Sequence, residues 1–398
     1  MKKLLALGMS FVMVLTLTGI LTGCTSGGSD KNVIKIGIFE PASGDNGAGG
    51  KQETLGIEYA HSLKDTVEID GKEYKIELVK VDNQSSTDKA VSAASTLVSE
   101  QVSVVLGSYG SGVSIAAADT FADAGIPAIG LSCTNPAVTE GNDYYYRICF
   151  LDPFQGTVMA NYAADSGAKT AYVLAQLGDD YSVGLATYFK EAFEKLGGKV
   201  VDETFPEGTS DYSAYITSAT NAGADVFFSP SSTTAASLII SQAASAKVDY
   251  SIMAGDTWEN SVILDAAKGT DLNIALSTFF DENDDNATAA EFVNGFKKYL
   301  NDNKDKLTDN GGNDTVAAVS ALGYDGYMVA LEAIKAANST DSEEIATALS
   351  DVTYDGVTGS IKFNEIGDAE KDMAYIKTVD VKTGTFKFEK TQTIADVK

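Results

Sequence analysis

Three runs of small polar residues each follow a short apolar run. Leu106 is followed by Gly107-Ser108-Tyr109-Gly110-Ser111-Gly112, Leu131 by Ser132-Cys133-Thr134-Asn135-Pro136, and Ser229 by Pro230-Ser231-Ser232-Thr233-Thr234. If each apolar run is a strand and each polar run opens a helix, the free N–H groups and hydroxyls there suit a carboxylate or a phosphate. The same residues also serve as ordinary helix caps. Three such loops together favour a ligand site, and the catalytic constellations fail residue by residue. His61 is the single histidine, so a His-based triad or a multi-His metal site has no partners. It is expected on a helix as a surface or packing residue. Gly44, Gly47, Gly49 and Gly50 precede Lys51, but Asp45 and Gln52 stand where a phosphate loop needs Gly and Ser or Thr. The dinucleotide fingerprint is absent as well, and a flexible loop that lets backbone approach something is expected. Asp281-x-Asn283-x-Asp285 begins like a calcium loop, yet Asn286 and Phe292 replace its Gly and Glu, which leaves a solvated linker. No Gly-x-Ser-x-Gly elbow occurs. Adjacent carboxylates such as Asp179 and Asp180 carry little information in so acidic a chain. No enzyme, cofactor or metal is expected.

Elements that could hold these loops alternate along the chain. Strands are predicted at 33–39, 74–81, 103–106 and 127–131, with helices at 50–64, 88–100 and 113–124. The strands are β-branched runs; the helices repeat apolar residues at spacings of three and four, as in Val91, Ala94, Leu97 and Val98. Such alternation predicts a parallel sheet covered on both faces. The pattern restarts with strands at 170–174, 199–205, 224–229 and 250–254 and helices at 183–196, 212–221 and 235–246. Asp152-Pro153-Phe154-Gln155-Gly156 lies between the two series as a crossover. Helices at 287–301, 316–337 and 341–349 follow, then strands at 357–363, 373–379 and 385–389. These last elements lack a complete core and must pack back on the two lobes. The fold class is therefore α/β, with two doubly wound, Rossmann-like lobes joined by a multi-strand hinge. Residues 33–151 with 281–355 make the first lobe, and 152–280 with 356–398 the second.

The N-terminus sets the compartment. Met1-Lys2-Lys3 precedes an uncharged apolar run to Ile20, and Leu21-Thr22-Gly23 leads into Cys24. A positive start, an apolar core and small residues before a cut make residues 1–23 a secretory signal. Leu-Thr-Gly-Cys resembles a bacterial lipobox, in which the Cys is acylated after cleavage. Two or more acyl chains hold a protein at a membrane where one does not. Residues 24–32 then form a tether. The net charge is −27, and Arg147 is the only arginine among 29 basic residues. Nucleic acid is therefore a poor partner. Cys133 and Cys149 remain beside Cys24; they could form a disulfide, but two buried thiols are expected.

From residue 33 to about 389 the chain resembles the type I periplasmic binding-fold proteins that serve ABC transporters for leucine, isoleucine and valine. The resemblance rests on Ile36-Gly37 through Ser43-Gly44, Gly125-Ile126-Pro127, Thr134-Asn135-Pro136, residues 150–156, residues 178–181, and Leu322-Gly323-Tyr324-Asp325, in the family's order. It implies an extracytoplasmic, monomeric, lipid-anchored receptor that captures an amino acid, branched-chain or otherwise hydrophobic, and hands it to a membrane permease. Another small ligand such as an amide or short carboxylate, or a sensory role, is the alternative. The resemblance further implies that Ser111 and Thr134, with backbone atoms of Ser132 and Cys133, hold the ligand's carboxylate. Asp256 takes its ammonium, and Tyr181 covers it. The family's aromatics near Gly49 and near Ser231 are missing; Tyr109 or Trp258 is expected to compensate.

Overall fold

The computed structural model describes residues 32–283 and 287–397. The expected signal peptide, Cys24 and residues 25–31 of the tether lie outside the described residues, as do residues 284–286 of the calcium-like run. Among the described residues no helix is long and apolar enough to cross a membrane.

The first sheet is built from β1 (Val33–Glu40), β2 (Thr66–Ile69), β3 (Lys72–Asp82), β4 (Val104–Leu106), β5 (Ala128–Gly130) and β6 (Tyr145–Arg147), in the order β2-β3-β1-β4-β5-β6. Only β2 runs antiparallel. Strand period 2 divides the side chains of β1 between two layers. Ile34, Ile36 and Ile38 enter the core shared with α1 (Gly47–Leu63), while Phe39 joins the core beneath α2 (Thr87–Ser99) and α3 (Ser111–Asp123). The glycine-rich stretch expected as a flexible loop is instead the first turn of α1. Its glycines buy close approach, since a Cβ at Gly49 would stand 2.4 Å from the Tyr109 ring and one at Gly50 2.3 Å from the Pro41 carbonyl.

After α4 (Asp152–Asp165) the alternation repeats. It runs through β7 (Thr170–Gln176), α5 (Asp180–Lys195), β8 (Lys199–Phe205), α6 (Ser213–Asn221) and β9 (Val226–Phe228). It continues with α7 (Thr233–Ala246), β10 (Ser251–Ala254), α8 (Ser261–Ala267) and β11 (Ile274–Thr278). In β7, Tyr172 and Leu174 face the core under α6, α7 and α8, while Ala171, Val173 and Ala175 face α4 and α5. The chain then returns to the first lobe with α9 (Ala287–Asn301), α10 (Lys304–Asp309), α11 (Ala318–Ala337) and α12 (Ser342–Leu349). A Cβ on Gly56 of α1 would lie 1.9 Å from the Ser320 carbonyl of α11, and one on Gly323 2.2 Å from that of Glu53, so the two helices touch backbone to backbone.

A hairpin of β12 (Thr353–Gly356) and β13 (Gly359–Lys362) stays with the first lobe. Asp325 of α11 accepts the Val357 and Thr358 N–H groups at 2.9 and 2.8 Å, and Phe363 packs on Tyr146. The chain therefore leaves the first lobe near residue 370 rather than at 355 as expected. It ends as β14 (Met373–Asp380), added antiparallel to β11, and β15 (Thr385–Thr393), antiparallel to β14, in a sheet ordered β15-β14-β11-β10-β9-β7-β8. The lobes are thus joined at three places: near Phe150, near Phe279, whose ring packs against Phe150 at a 35° tilt with centroids 4.3 Å apart, and between β13 and β14. Beside them Lys377 of β14 is buried between Glu259 at 2.5 Å and Asp281 at 3.2 Å. Asp281, read as part of a solvated linker, serves this buried ion pair instead.

Strand order reverses between β1 and β4 and between β7 and β9. In open α/β sheets ligands lie beyond the carboxyl ends of the strands at such reversals. Both reversals here open toward the junction of the lobes.

Candidate functional site

In the second lobe the site is built around Asp256, at the start of a short 3-10 turn just past β10 and 2% exposed. One carboxylate oxygen accepts from Gln155 Nε2 at 2.7 Å and from the Tyr181 hydroxyl at 3.1 Å. Burial pushes the Asp256 carboxyl up to about 6, and those two hydrogen bonds hold it from rising further. Tyr181 is aimed by α5, whose start is fixed by Asp179 accepting the Ser182 N–H at 2.7 Å. Gln155 comes from the first turns of α4. Gly255 lets them converge: a Cβ there would lie 2.5 Å from the Tyr181 hydroxyl and 3.0 Å from Gln155 Oε1.

The first lobe supplies hydroxyls. Ser111 is the first residue of α3, whose N-terminus has no side-chain cap, and its Oγ accepts the Asn135 N–H at 3.2 Å. Its own proton stays available to an anion. Ser132 Oγ and Thr134 Oγ1 are buried with no well-formed hydrogen bond, the first facing the Glu53 carboxyl and the second that of Asp152. The Cys133 thiol turns into the core, 2.4 Å from where a Cβ on Gly130 would stand, so this residue offers the site only its backbone. Its carbonyl accepts from Arg147 at 2.9 Å. Cys133 and Cys149 are both free and buried. The Tyr109 ring rests on Gly49 where an aromatic was missing, and its hydroxyl reaches the Thr257 carbonyl of the other lobe at 3.3 Å. Trp258 goes elsewhere: it is fully buried in the second lobe's core, with its indole N–H unpartnered.

Of the expected residues, Asp256 and Tyr181 meet directly, and Ser111 meets the loop 132–135. Sequence reasoning placed Ser231 only within the third strand-end loop and missed Gln155, Asp152 and Glu53 as site residues. Glu53 and Asp152 are fully buried, with the Ser132 and Thr134 hydroxyls beside them but no well-formed hydrogen bond, and Gln155 Oε1 and Ser231 Oγ are unpartnered as well. Burial raises all the carboxyls, Glu53 to about 8 and Asp152 and Glu40 well above the usual range. A buried polar group left unpaired costs roughly 1–3 kcal/mol, so a cluster of them between two lobes marks a place built for a polar guest.

The lobes meet around this cluster. Thr233 Oγ1 donates to the Asp45 carbonyl at 2.8 Å, Asn135 Nδ2 to the Asp180 carbonyl at 2.7 Å, and Asn260 Nδ2 to Gln52 Oε1 at 2.7 Å. One mouth of the cleft is lined by Asp88, Asp179, Asp180 and Glu207 together with Ser and Asn side chains, and by no Lys or Arg. Of the three strand-end loops, the third does cap its helix: Ser232 Oγ accepts the Ala235 N–H of α7 at 3.3 Å.

The chain matches the family model described as periplasmic binding protein over residues 33–384. It is 30% identical over 349 residues to Leu/Ile/Val-binding protein homolog 1 of Brucella melitensis, a match that spans 86% of this chain and 89% of the relative. The leucine-binding protein LivK of Thermotoga maritima superposes with a TM-score of 0.81 at 32% identity, over 92% of this chain and 100% of that one. LivJ of Streptococcus pneumoniae, solved in complex with isoleucine, superposes with a TM-score of 0.78 at 28% identity, over 91% and 99%.

Proposed function

Because the chain belongs to the periplasmic binding protein family, we propose that it is the extracytoplasmic receptor of an ABC importer and captures an amino acid, branched-chain or otherwise hydrophobic, between its lobes. It binds and releases its solute and performs no chemistry on it. The observation that carries the choice of ligand is the polarity of the cleft. Asp256, with one oxygen held by Gln155 and Tyr181, stands on the second lobe as an acceptor for an ammonium. Ser111, Ser132 and Thr134, at the uncapped start of α3 and the loop after β5, stand on the first as donors for a carboxylate. A zwitterion satisfies both only when the lobes are together, so the ligand stabilises the closed state by the difference in contacts. The relatives named for leucine, isoleucine and valine point to the same class. Mass spectrometry of solute released from the purified chain, followed by calorimetric titration of the twenty amino acids, tests this. Tight binding of leucine, isoleucine or valine is expected; a solute lacking an α-ammonium, such as an amide or a short carboxylate, would overturn it.

The same receptor is held at the membrane through Cys24 and works as a monomer. The apolar run ending in Leu21-Thr22-Gly23-Cys24 supports the anchor. Cys24→Ser should leave the chain unprocessed or released from the membrane fraction, because the thiol carries the lipid. Membrane partition equal to wild type after processing would end the lipoprotein reading.

A further inference from the structure

Arg147 is the one arginine in a chain that uses lysine everywhere else, and it is fully buried. A compact ammonium serves a solvated surface well; a planar fork with five fixed donors is needed where several acceptors must be held at set angles. Its surroundings fit that need. Nε donates to Asp368 Oδ1 at 2.8 Å, and Nη2 reaches the same oxygen at 2.7 Å and Thr139 Oγ1 at 3.2 Å. The remaining donors go to two backbone carbonyls, that of Cys133 at 2.9 Å and that of Asn135. Those carbonyls flank Thr134.

The contacts continue in both directions. Asp368 lies on the segment between β13 and β14, one of the three places where the lobes are joined. The backbone of that segment is bound to Arg147, with its N–H donating to the Gly367 carbonyl and its carbonyl accepting from Ala369, each at 2.8 Å. On the other side Asn135 donates its N–H to Ser111 Oγ at 3.2 Å and its side chain to the Asp180 carbonyl of the second lobe at 2.7 Å. A single guanidinium therefore fixes the loop that offers Thr134, and through Asn135 the Ser111 hydroxyl, against the chain that passes between the lobes.

We infer that Arg147, held by Asp368, is the positioning residue of the carboxylate end of the site: it touches no ligand but sets the register of the loop 132–135 that does. This rests on the amino-acid reading of the cleft. The two ends of the ligand then respond differently to its loss. A displaced loop weakens contacts to the carboxylate and leaves Asp256, Gln155 and Tyr181 in place for the ammonium.

The test compares L-leucine with L-leucinamide, which keeps the ammonium and side chain but has no carboxylate, by calorimetric titration of the mature chain and of Arg147→Lys. Lysine keeps the charge for Asp368 and loses the fork. Wild type is expected to prefer leucine. In R147K the affinity for leucine should fall roughly 10- to 100-fold, the range for losing one well-placed hydrogen bond to a charged group. The affinity for leucinamide should change less than about threefold by the same measure, so the preference collapses. Equal weakening toward both probes, or none toward either, overturns the proposal, because a merely structural arginine would not separate them. Thermal melting establishes that the variant folds. Should R147K fail to fold, Thr139→Val removes one member of the cluster and is expected to narrow the same preference; an unchanged ratio there overturns the proposal equally. A wild-type chain that ignores leucine and every other amino acid overturns the reading of the ligand and the carboxylate role with it. That result appears in wild type and is distinct from one seen only in the variants.

Discussion

Burial holds the Asp256 carboxyl near 6, above its ordinary 3.8, while the Gln155 and Tyr181 hydrogen bonds pull the other way. The folded state thus prefers the protonated acid. Its stabilising contribution is complete below 3.8 and is lost as pH rises through about 6, a difference on the order of 3 kcal/mol at 1.36 kcal/mol per unit. Binding an ammonium needs the opposite form. Asp256→Asn should therefore melt a few degrees above wild type at pH 7 without ligand, with the gain vanishing near pH 4. Its affinity for leucine should fall at least ~100-fold, as expected for removing one partner of a buried charge pair. Wild-type affinity should itself decline as pH drops below about 6. Melting curves with titrations over that range check all three; an Asn variant that binds like wild type would remove the ammonium role. Ser111→Ala deletes one hydrogen bond to a charged group, roughly 1.5–3 kcal/mol, and should weaken binding less. Burial also pushes the Cys133 thiol up to about 11 and the Cys149 thiol well above its ordinary value. Iodoacetamide should label neither in the native chain at pH 7.5 and both after denaturation, as mass spectrometry would show. Ser111 and Thr134 stood out as candidates because they sit where strand gives way to helix, a place visible in local pattern; Tyr181 and Asp256 came only from the family resemblance. Glu53, Asp152 and Gln155 came from neither. An acid or amide inside a helix reads as surface, and only tertiary packing brings these three together in the dry interior.

The long strands and helices of both lobes follow from period-2 and period-3.6 spacing, and most were placed within a few residues of their true ends. The misses share a physical cause. β6 spans only three residues, and Tyr145-Tyr146-Arg147 presents no alternation to read. α4 was taken for a crossover because Pro153 and Gly156 look like breakers. Pro153 sits in its first turn, where no N–H is needed. Gly156 instead lets the backbone of α5 approach, a Cβ there standing 2.7 Å from the Phe189 nitrogen. The start of α1 was missed for the same reason. Its glycines give a graded prediction. At Gly49 an added methyl meets a ring that can swing, whereas at Gly56 it meets the fixed Ser320 backbone 1.9 Å away. Gly49→Ala should cost about 1–3 kcal/mol, the usual penalty for overpacking, and should weaken leucine binding by moving Tyr109 off Thr257. Gly56→Ala should lower the melting temperature further. Equal losses in both would mean that α1 and α11 slide apart more easily than their backbone contact implies.

On the scale of the molecule, the division between lobes was readable from the repeat of the strand–helix pattern, but the place where the chain finally leaves the first lobe was not. The hairpin β12–β13 reads as one more strand of the second sheet, and its true station is set by Asp325 and by Arg147 with Asp368, which are far away in sequence. Three joining segments and the Lys377–Glu259–Asp281 ion cluster beside them leave bending as the motion by which the cleft opens. Replacing Lys377 by Met strands two buried carboxylates, so a loss of roughly 3–5 kcal/mol in stability is expected from denaturant melts. A change under about 1 kcal/mol, the range of an exposed pair, would show the cluster to be solvated in solution.

The acidic mouth of the cleft bears on how fast a solute arrives rather than on how tightly it stays. Asp88, Asp179, Asp180 and Glu207 border the entrance from both lobes with no lysine or arginine among them. A recess walled by one sign of charge concentrates its field, and such fields alter encounter rates by factors of about 10 to 10³. A zwitterion crosses this field at little net expense and is turned with its ammonium leading, toward Asp256. An anion of the same size is slowed before any contact is made. Stopped-flow association rates should therefore be nearly independent of salt for leucine and should rise with added salt for N-acetyl-leucine, whose only charge is its carboxylate. The entrance would then sort solutes by net charge, in time, ahead of a site that sorts them by where their charges lie.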